Sequence, residues 1–481
     1  MAYKLIEGGG VTTPQGFLAG ACYVGVKSRK SEKPDVAIIY SEQPASCAAM
    51  FTTNKFCAAP VILDREILKK GKARAVVINS GNANAATGET GLACARETCN
   101  IASQVIGCEP QQILVASTGV IGQILPIDTF ETAVPAAYEA LSAHAGADAA
   151  RAIMTTDTHS KEYAVRYRSE AAGHAGNAYT VGGMCKGSGM IMPNMATMIA
   201  VITTDAPVEP AALHALLLST VKQTFNKVTV DSDTSTNDTC IMLASGAAAA
   251  DAEPIVEGSD AFDELTFAVH EVCESLARNI AADGEGASKL VTVNVTGAVN
   301  DEEADIAARA VANSPLVKTC IAGHDCNWGR VAMALGKCGV KFNQEDVSID
   351  MMRVPSKRTN PEVERARSAD LEGRKTDQHQ NERDDPEARH HLRFLPALEL
   401  EVVMNRRHEE DALAVRESEV DRLNHDGERF DDEHPAHDGE NEFLTGDDGH
   451  RAEAPAQSKR PHVAHEDLSG MRVEPEEGQA R

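Results

Sequence analysis

Nowhere in the 481 residues does an apolar run approach the roughly eighteen or more positions of a membrane-spanning helix. The opening segment, Met1 to Gly10, carries Lys4 and Glu7 and then three glycines, and lacks the apolar core of a secretory leader. These two absences give the expectation of a cytoplasmic protein with no membrane partner. A basic stripe is also missing: the formal net charge is -26, so nothing is positioned to neutralise phosphates and no nucleic-acid partner is expected. The twelve cysteines, from Cys22 to Cys338, form no CxxC pair and no Cys/His cluster at zinc spacing. Cys94 and Cys99 lie five apart in an expected helix, and Cys320 and Cys326 flank an expected loop. All twelve read as scattered reduced thiols, and no metal is expected.

The chain has two textures that meet near Met352. In residues 353–481, 53 of 129 positions are charged, against 65 of the preceding 352. That C-terminal region has no Cys, Trp or Tyr, only three Phe, and ten of the sixteen His. Too little apolar surface is available there to offset the entropy of ordering, so the region reads as a largely disordered charged tail. Leu398 to Met404 is the exception, since it begins with the apolar–polar alternation of a strand.

The first part reads as mixed α and β. Ala75 to Ile78 and Ile113 to Ala116 are short apolar runs ending in Gly-containing loops, as strands do. Lys289 to Val295 alternates as a half-buried strand. Leu92 to Ile106, Pro210 to Thr224 and Glu264 to Ala282 have helical spacing, with Pro210 suited to a first helical turn, and Asn327 to Lys337 reads as a further helix. The irregular interleaving of strands and helices predicts a layered α/β sandwich rather than a regular βαβ array.

The most informative stretch is Met184 to Asp205, MCKGSGMIMPNMATMIAVITTD. A Gly-rich loop around Ser188 leads into the apolar, strand-like run Ala196 to Ile202, and Thr197 stands at the junction. One reading makes Thr197 an ordinary β-branched strand residue. The other is self-cleavage, in which the Thr197 hydroxyl attacks the Ala196 carbonyl and water opens the resulting ester. The new α-amine, with an unperturbed pKa of about 7.7–8.0, can then serve as general base to its own hydroxyl.

The segment KGSGMIMPNMATMIAVITTD resembles the processing site of the ornithine acetyltransferase family, also called glutamate N-acetyltransferases. GGGVTTPQGF at Gly8, CAAMFTTNKFCAAPV at Cys47, VVINSGNANAATG at Val76, ASTGVIG at Ala116 and IMTTDT at Ile153 are similar to the same family. So are TVDSDTSTND at Thr229, DGEGASKL at Asp283 and AGHDCNWGR at Ala322. The segments occur in family order over roughly residues 8–350, which makes the set specific where any one of them is weak.

The resemblance implies an N-terminal-nucleophile-like α/β fold, cleaved between Ala196 and Thr197 into chains 1–196 and 197 onward, with residues 197–352 carrying the catalytic terminus. It implies that Thr197 takes acetyl from N-acetylornithine and gives it to glutamate, as a step of arginine biosynthesis. Thr118 and Gly119 match the family's oxyanion-stabilising pair, and Thr155, Lys186 and Glu285 match its substrate contacts. No bound cofactor is implied, although some members also accept acetyl-CoA, and the two cleaved chains are expected to associate as a heterotetramer. The resemblance stops after Val347 to Met352, and the family's C-terminal Asn and Thr or Ser have no match here. A shifted reading frame past Met352 is the favoured account of residues 353–481. Two rival readings follow: an N-terminal-nucleophile amidase or peptidase, and a protein left inactive by its altered C-terminus.

Overall fold

A computed structural model of the chain describes residues 3–26, 33–192, 198–351, 354–355 and 397–404. Among these, a nine-stranded mixed sheet forms the larger layer. Its strands are β1 (Tyr3–Leu5), β2 (Phe17–Cys22), β3 (Val36–Phe51), β4 (Lys72–Asn82) and β5 (Ile113–Val120), followed by β6 (Lys161–Arg168), β7 (Ala178–Lys186), β8 (Ile199–Thr204) and β9 (Thr239–Ala244). They lie in the order β1-β6-β7-β8-β9-β3-β4-β5, with β2 pairing β3 off that path. The pairs β4–β5 and β8–β9 are parallel and the others antiparallel.

Both faces of this sheet are covered. Along β8, Ile199 and Val201 join one apolar core while Ala200 and Ile202 join the other; β9 divides in the same way, Ile241 and Leu243 against Cys240 and Met242. A strand buried on both faces needs apolar residues at every position, which is why Ile199 to Ile202 reads as a continuous apolar run. Helices α1 (Ala59–Ile67), α2 (Gly88–Ile106), α3 (Phe130–Glu139) and α4 (Gly146–Ala152) close the first core. Helices α5 (Pro210–Gln223) and α6 (Asp260–Ala282) close the second. This is the expected layered α/β sandwich. Helix α6 begins earlier than its apolar spacing suggests because the Ser259 side chain caps it, accepting the Phe262 N–H. Cys94 and Cys99 are buried in α2, and all twelve cysteines are free thiols.

A second, four-stranded sheet follows, with the order β10 (Leu290–Thr296), β13 (Ala397–Met404), β11 (Val347–Met351) and β12 (Val354–Pro355). Helices α7 (Asp301–Ala312), α8 (Pro315–Ala322) and α9 (Trp328–Gly336) pack with it around Val311, Val331, Ile349 and Val402. Leu398 to Met404, the strand-like exception in the charged C-terminal region, lies within β13. The strand lies parallel to β10 and antiparallel to β11, with Leu400, Val402 and Met404 buried. The remaining positions of that region, apart from Val354 and Pro355, lie outside the described residues.

No helix among the described residues is long and apolar enough to cross a membrane.

Candidate active site

Parallel strands β4 and β5 end side by side, and their pairing loses its regular register there, Asn82 facing both Thr118 and Val120. Gly119 permits this. Its φ is 136°, and a Cβ at that position would stand 2.3 Å from the Gly81 carbonyl carbon. No other residue tolerates both that dihedral and that approach. The side chain of Asn237, just before β9, fixes the same region by donating to the Ala83 and Ser117 carbonyls at 2.6 and 2.7 Å.

A cavity of about 510 Å³ opens at these strand ends, and its walls include Thr118, Gly119, Thr155, Lys186 and Glu285. Every substrate and oxyanion position implied by the resemblance, Thr197 apart, therefore faces one space. They reach it from four places: the end of β5, the loop after α4, the end of β7 and the loop after α6. Thr197 and Ala196 lie outside the described residues. Of their neighbours, Met192 accepts the Thr234 hydroxyl hydrogen bond on its carbonyl, and Met198, buried just before β8, accepts the Thr239 N–H.

Behind the cavity wall lies a buried charge network. Lys161, whose side chain is 0% exposed, places its ammonium 2.8 Å from Asp157 Oδ1 and 2.6 Å from Asp283 Oδ2. Asp157 also accepts the N–H of Thr155 at 3.0 Å and that of Gly187 at 2.6 Å, and it pairs with Lys186 at 3.8 Å. Asp283 accepts both the N–H and the hydroxyl of Thr158. Its carbonyl accepts the Ser188 hydroxyl at 2.6 Å, and the Ser188 carbonyl in turn accepts the Glu285 N–H at 3.0 Å. One buried lysine thus links the segments that carry Thr155, Lys186 and Glu285.

Burial alone would raise the Asp157 carboxyl, but Lys186 and Lys161 hold it down at about 2. Burial likewise pushes the Lys186 ammonium below its ordinary value, against the pull of Asp157. Lys161 is also penalised by burial, yet its carboxylate partners carry it above the ordinary lysine value.

The ArgJ family model matches residues 18–380. The chain belongs to the ArgJ family. The arginine biosynthesis bifunctional protein ArgJ of Caldanaerobacter subterraneus subsp. tengcongensis is 48% identical over 341 residues, 71% of this chain and 82% of its own length. That of Symbiobacterium thermophilum is 47% identical over 342 residues, 71% of this chain and 83% of its own length. A crystal structure of the Bacillus halodurans protein of the same name is 36% identical and covers 40% of this chain and 97% of that one, with a TM-score of 0.37. As an ArgJ-family member, the chain is an acetyltransferase enzyme of arginine biosynthesis.

Sequence reasoning did not single out Asp157, Lys161, Asp283 or Asn237 in this ArgJ-family site. Asp157 and Asp283 stand within the segments IMTTDT and DGEGASKL, and their only sequence signal was membership of those segments. Among the described residues, His270, Glu271 and Glu274 on α6 bring ligand-type atoms within 4.8 Å of one another. There, the Tyr3 hydroxyl donates to Glu271, and His270 faces Glu274. Such helix-surface groups are common without an ion.

Proposed function

We propose that this enzyme cleaves itself between Ala196 and Thr197 and then moves acetyl from N-acetylornithine to glutamate through an ester on Thr197. The observation that carries the reading is the convergence of Thr118, Gly119, Thr155, Lys186 and Glu285 on one cavity. The Thr197 hydroxyl attacks the acetyl carbonyl of the donor, and its proton passes to the free Thr197 amine. Collapse of the tetrahedral intermediate breaks the bond to the donor nitrogen, which takes up that proton and leaves as ornithine. The glutamate amine attacks the ester by the same path in reverse. Lys186 holds the substrate carboxylate and Glu285 the ornithine side-chain ammonium, one charge for each end of the donor. Acetyl-CoA is a second acetyl source in this reading, in keeping with relatives named bifunctional. Denaturing electrophoresis of the purified enzyme with N-terminal sequencing of its fragments is the direct test. A new terminus at any residue other than Thr197 contradicts the proposal.

Thr118 and Gly119 serve the oxyanion, which exists only around the transition state. Thr118→Ala is therefore expected to lower kcat by roughly a hundredfold while KM for N-acetylornithine changes little. A normal kcat with a large rise in KM would reassign Thr118 to substrate binding.

Glu285 leans on Gly189, where a Cβ would meet the Glu285 carboxyl carbon at 2.4 Å. Gly189→Ala is expected to displace that carboxylate and raise KM for N-acetylornithine about tenfold, the scale of one charge-assisted hydrogen bond. Unchanged KM in steady-state kinetics would remove Glu285 from donor recognition.

A further inference from the structure

The reaction proposed above sets one cavity two opposite tasks. The donor presents a carboxylate and, at its far end, an ammonium. The acceptor presents a carboxylate and, at its far end, a second carboxylate. Lys186 can serve the carboxylate common to both. Glu285 suits the far end of the donor and repels that of the acceptor. Among the described residues lining the cavity, the side-chain ammonium groups are those of Lys186 and Lys33.

We propose that Lys33 is the acceptor-specificity residue, holding the side-chain carboxylate of glutamate while Lys186 holds its α-carboxylate. This inference rests on the acetylornithine–glutamate reading of the site. Lys33 stands three residues before β3, close to Asp35, which ties the chain to its neighbours. The Asp35 carboxylate accepts the N–H groups of Val24 and Val26 at 2.9 and 2.6 Å, and the Asp35 carbonyl accepts the Ser80 N–H at 2.9 Å. The Lys33 ammonium donates to the carbonyl of Met154, the residue before Thr155, so the lysine reaches across the cavity wall to the segment that bears a substrate contact. Burial lowers the stability of its charged form, and among the surrounding charges Asp157 supports it while Lys186 opposes it. Two ammonium groups that repel each other across one cavity are a fitting receptor for a dicarboxylate, which relieves the repulsion on binding.

The test separates the two half-reactions in the mature enzyme. Lys33→Gln keeps a hydrogen-bond donor near Met154 and removes the charge. Acetylation of the chain beginning at Thr197 by N-acetylornithine, followed by mass spectrometry in single turnover, is expected to keep its wild-type rate within about twofold. Discharge of the acetyl-enzyme by glutamate at low concentration is expected to slow roughly ten- to a hundredfold, the scale of a lost charge-assisted contact. Glutamine, which lacks the second charge, should discharge wild-type and variant acetyl-enzymes at similar rates, a result that general damage to the site would not give. Equal slowing of both half-reactions, or an unchanged preference for glutamate over glutamine, overturns the role of Lys33 alone. A wild-type enzyme that forms no acetyl-enzyme from N-acetylornithine overturns the parent reading and this inference with it.

Discussion

Thr197→Ala is expected to yield a single uncut chain with no measurable acetyl transfer. Both reactions draw on one hydroxyl, first against the Ala196 carbonyl and then against the acetyl group, and alanine keeps the backbone while removing that oxygen. The amine that serves as general base is also never released from its peptide bond, so nucleophile and base disappear together. Groups that act as a unit give losses far larger than any single contact, and activity should fall by several orders of magnitude. Electrophoresis and an acetyl-transfer assay on the same preparation check both halves. Residual cleavage in the alanine variant would show that another group performs the scission. Full cleavage competence combined with lost transfer is not available to a single shared nucleophile.

The second large effect is on stability. Lys161→Met should cost about 3–5 kcal/mol, because it strips the shared cation from two buried carboxylates and leaves a side chain that cannot bond to either. The acid limb sharpens the test. In the parent, Asp157 titrates at about 2 when folded, below its unfolded value of about 3.9. Its contribution is therefore complete above about pH 4 and is lost as the pH falls toward 2. In the variant this acid-dependent loss should shrink, since the folded carboxyl will titrate nearer its unfolded value. Urea unfolding midpoints at neutral pH and at pH 3 to 4 measure both quantities. A variant within about 1 kcal/mol of the parent at neutral pH would mean that the network relaxes around the missing charge.

The sequence disclosed the elements with one dominant signal. Pro210 at a helix start, the alternating run that became β10, and the doubly buried β8 each carry a local pattern that tertiary structure had no reason to override. Strand β7 was hidden because Gly182 and Gly183 in its middle resemble a loop, and the sixteen-residue β3 because its register shifts between Tyr40 and Ala45. At the site, Thr118, Gly119, Thr155, Lys186 and Glu285 were legible only through resemblance; nothing in spacing brings residue 118 to residue 285. The Lys161 network was not legible at all. Its partner Asp283 is 122 positions away, and a lysine at the head of an alternating strand looks like any solvated charge until the sheet closes over it.

The place of β13 gives the second sheet a fixed order of assembly during synthesis. Strands β10 and β11 do not pair with each other; each pairs with β13, which lies between them. A ribosome that has released β11 has therefore delivered two strands with no template joining them, and the sheet must wait for residues 397–404 to emerge. The nine strands of the larger sheet have all emerged by Ala244, and α6, which closes its second core, by Ala282. Folding during synthesis is therefore expected in two stages: an early layer that can close on the ribosome, and a late, high-contact-order sheet that closes only when its middle strand threads in.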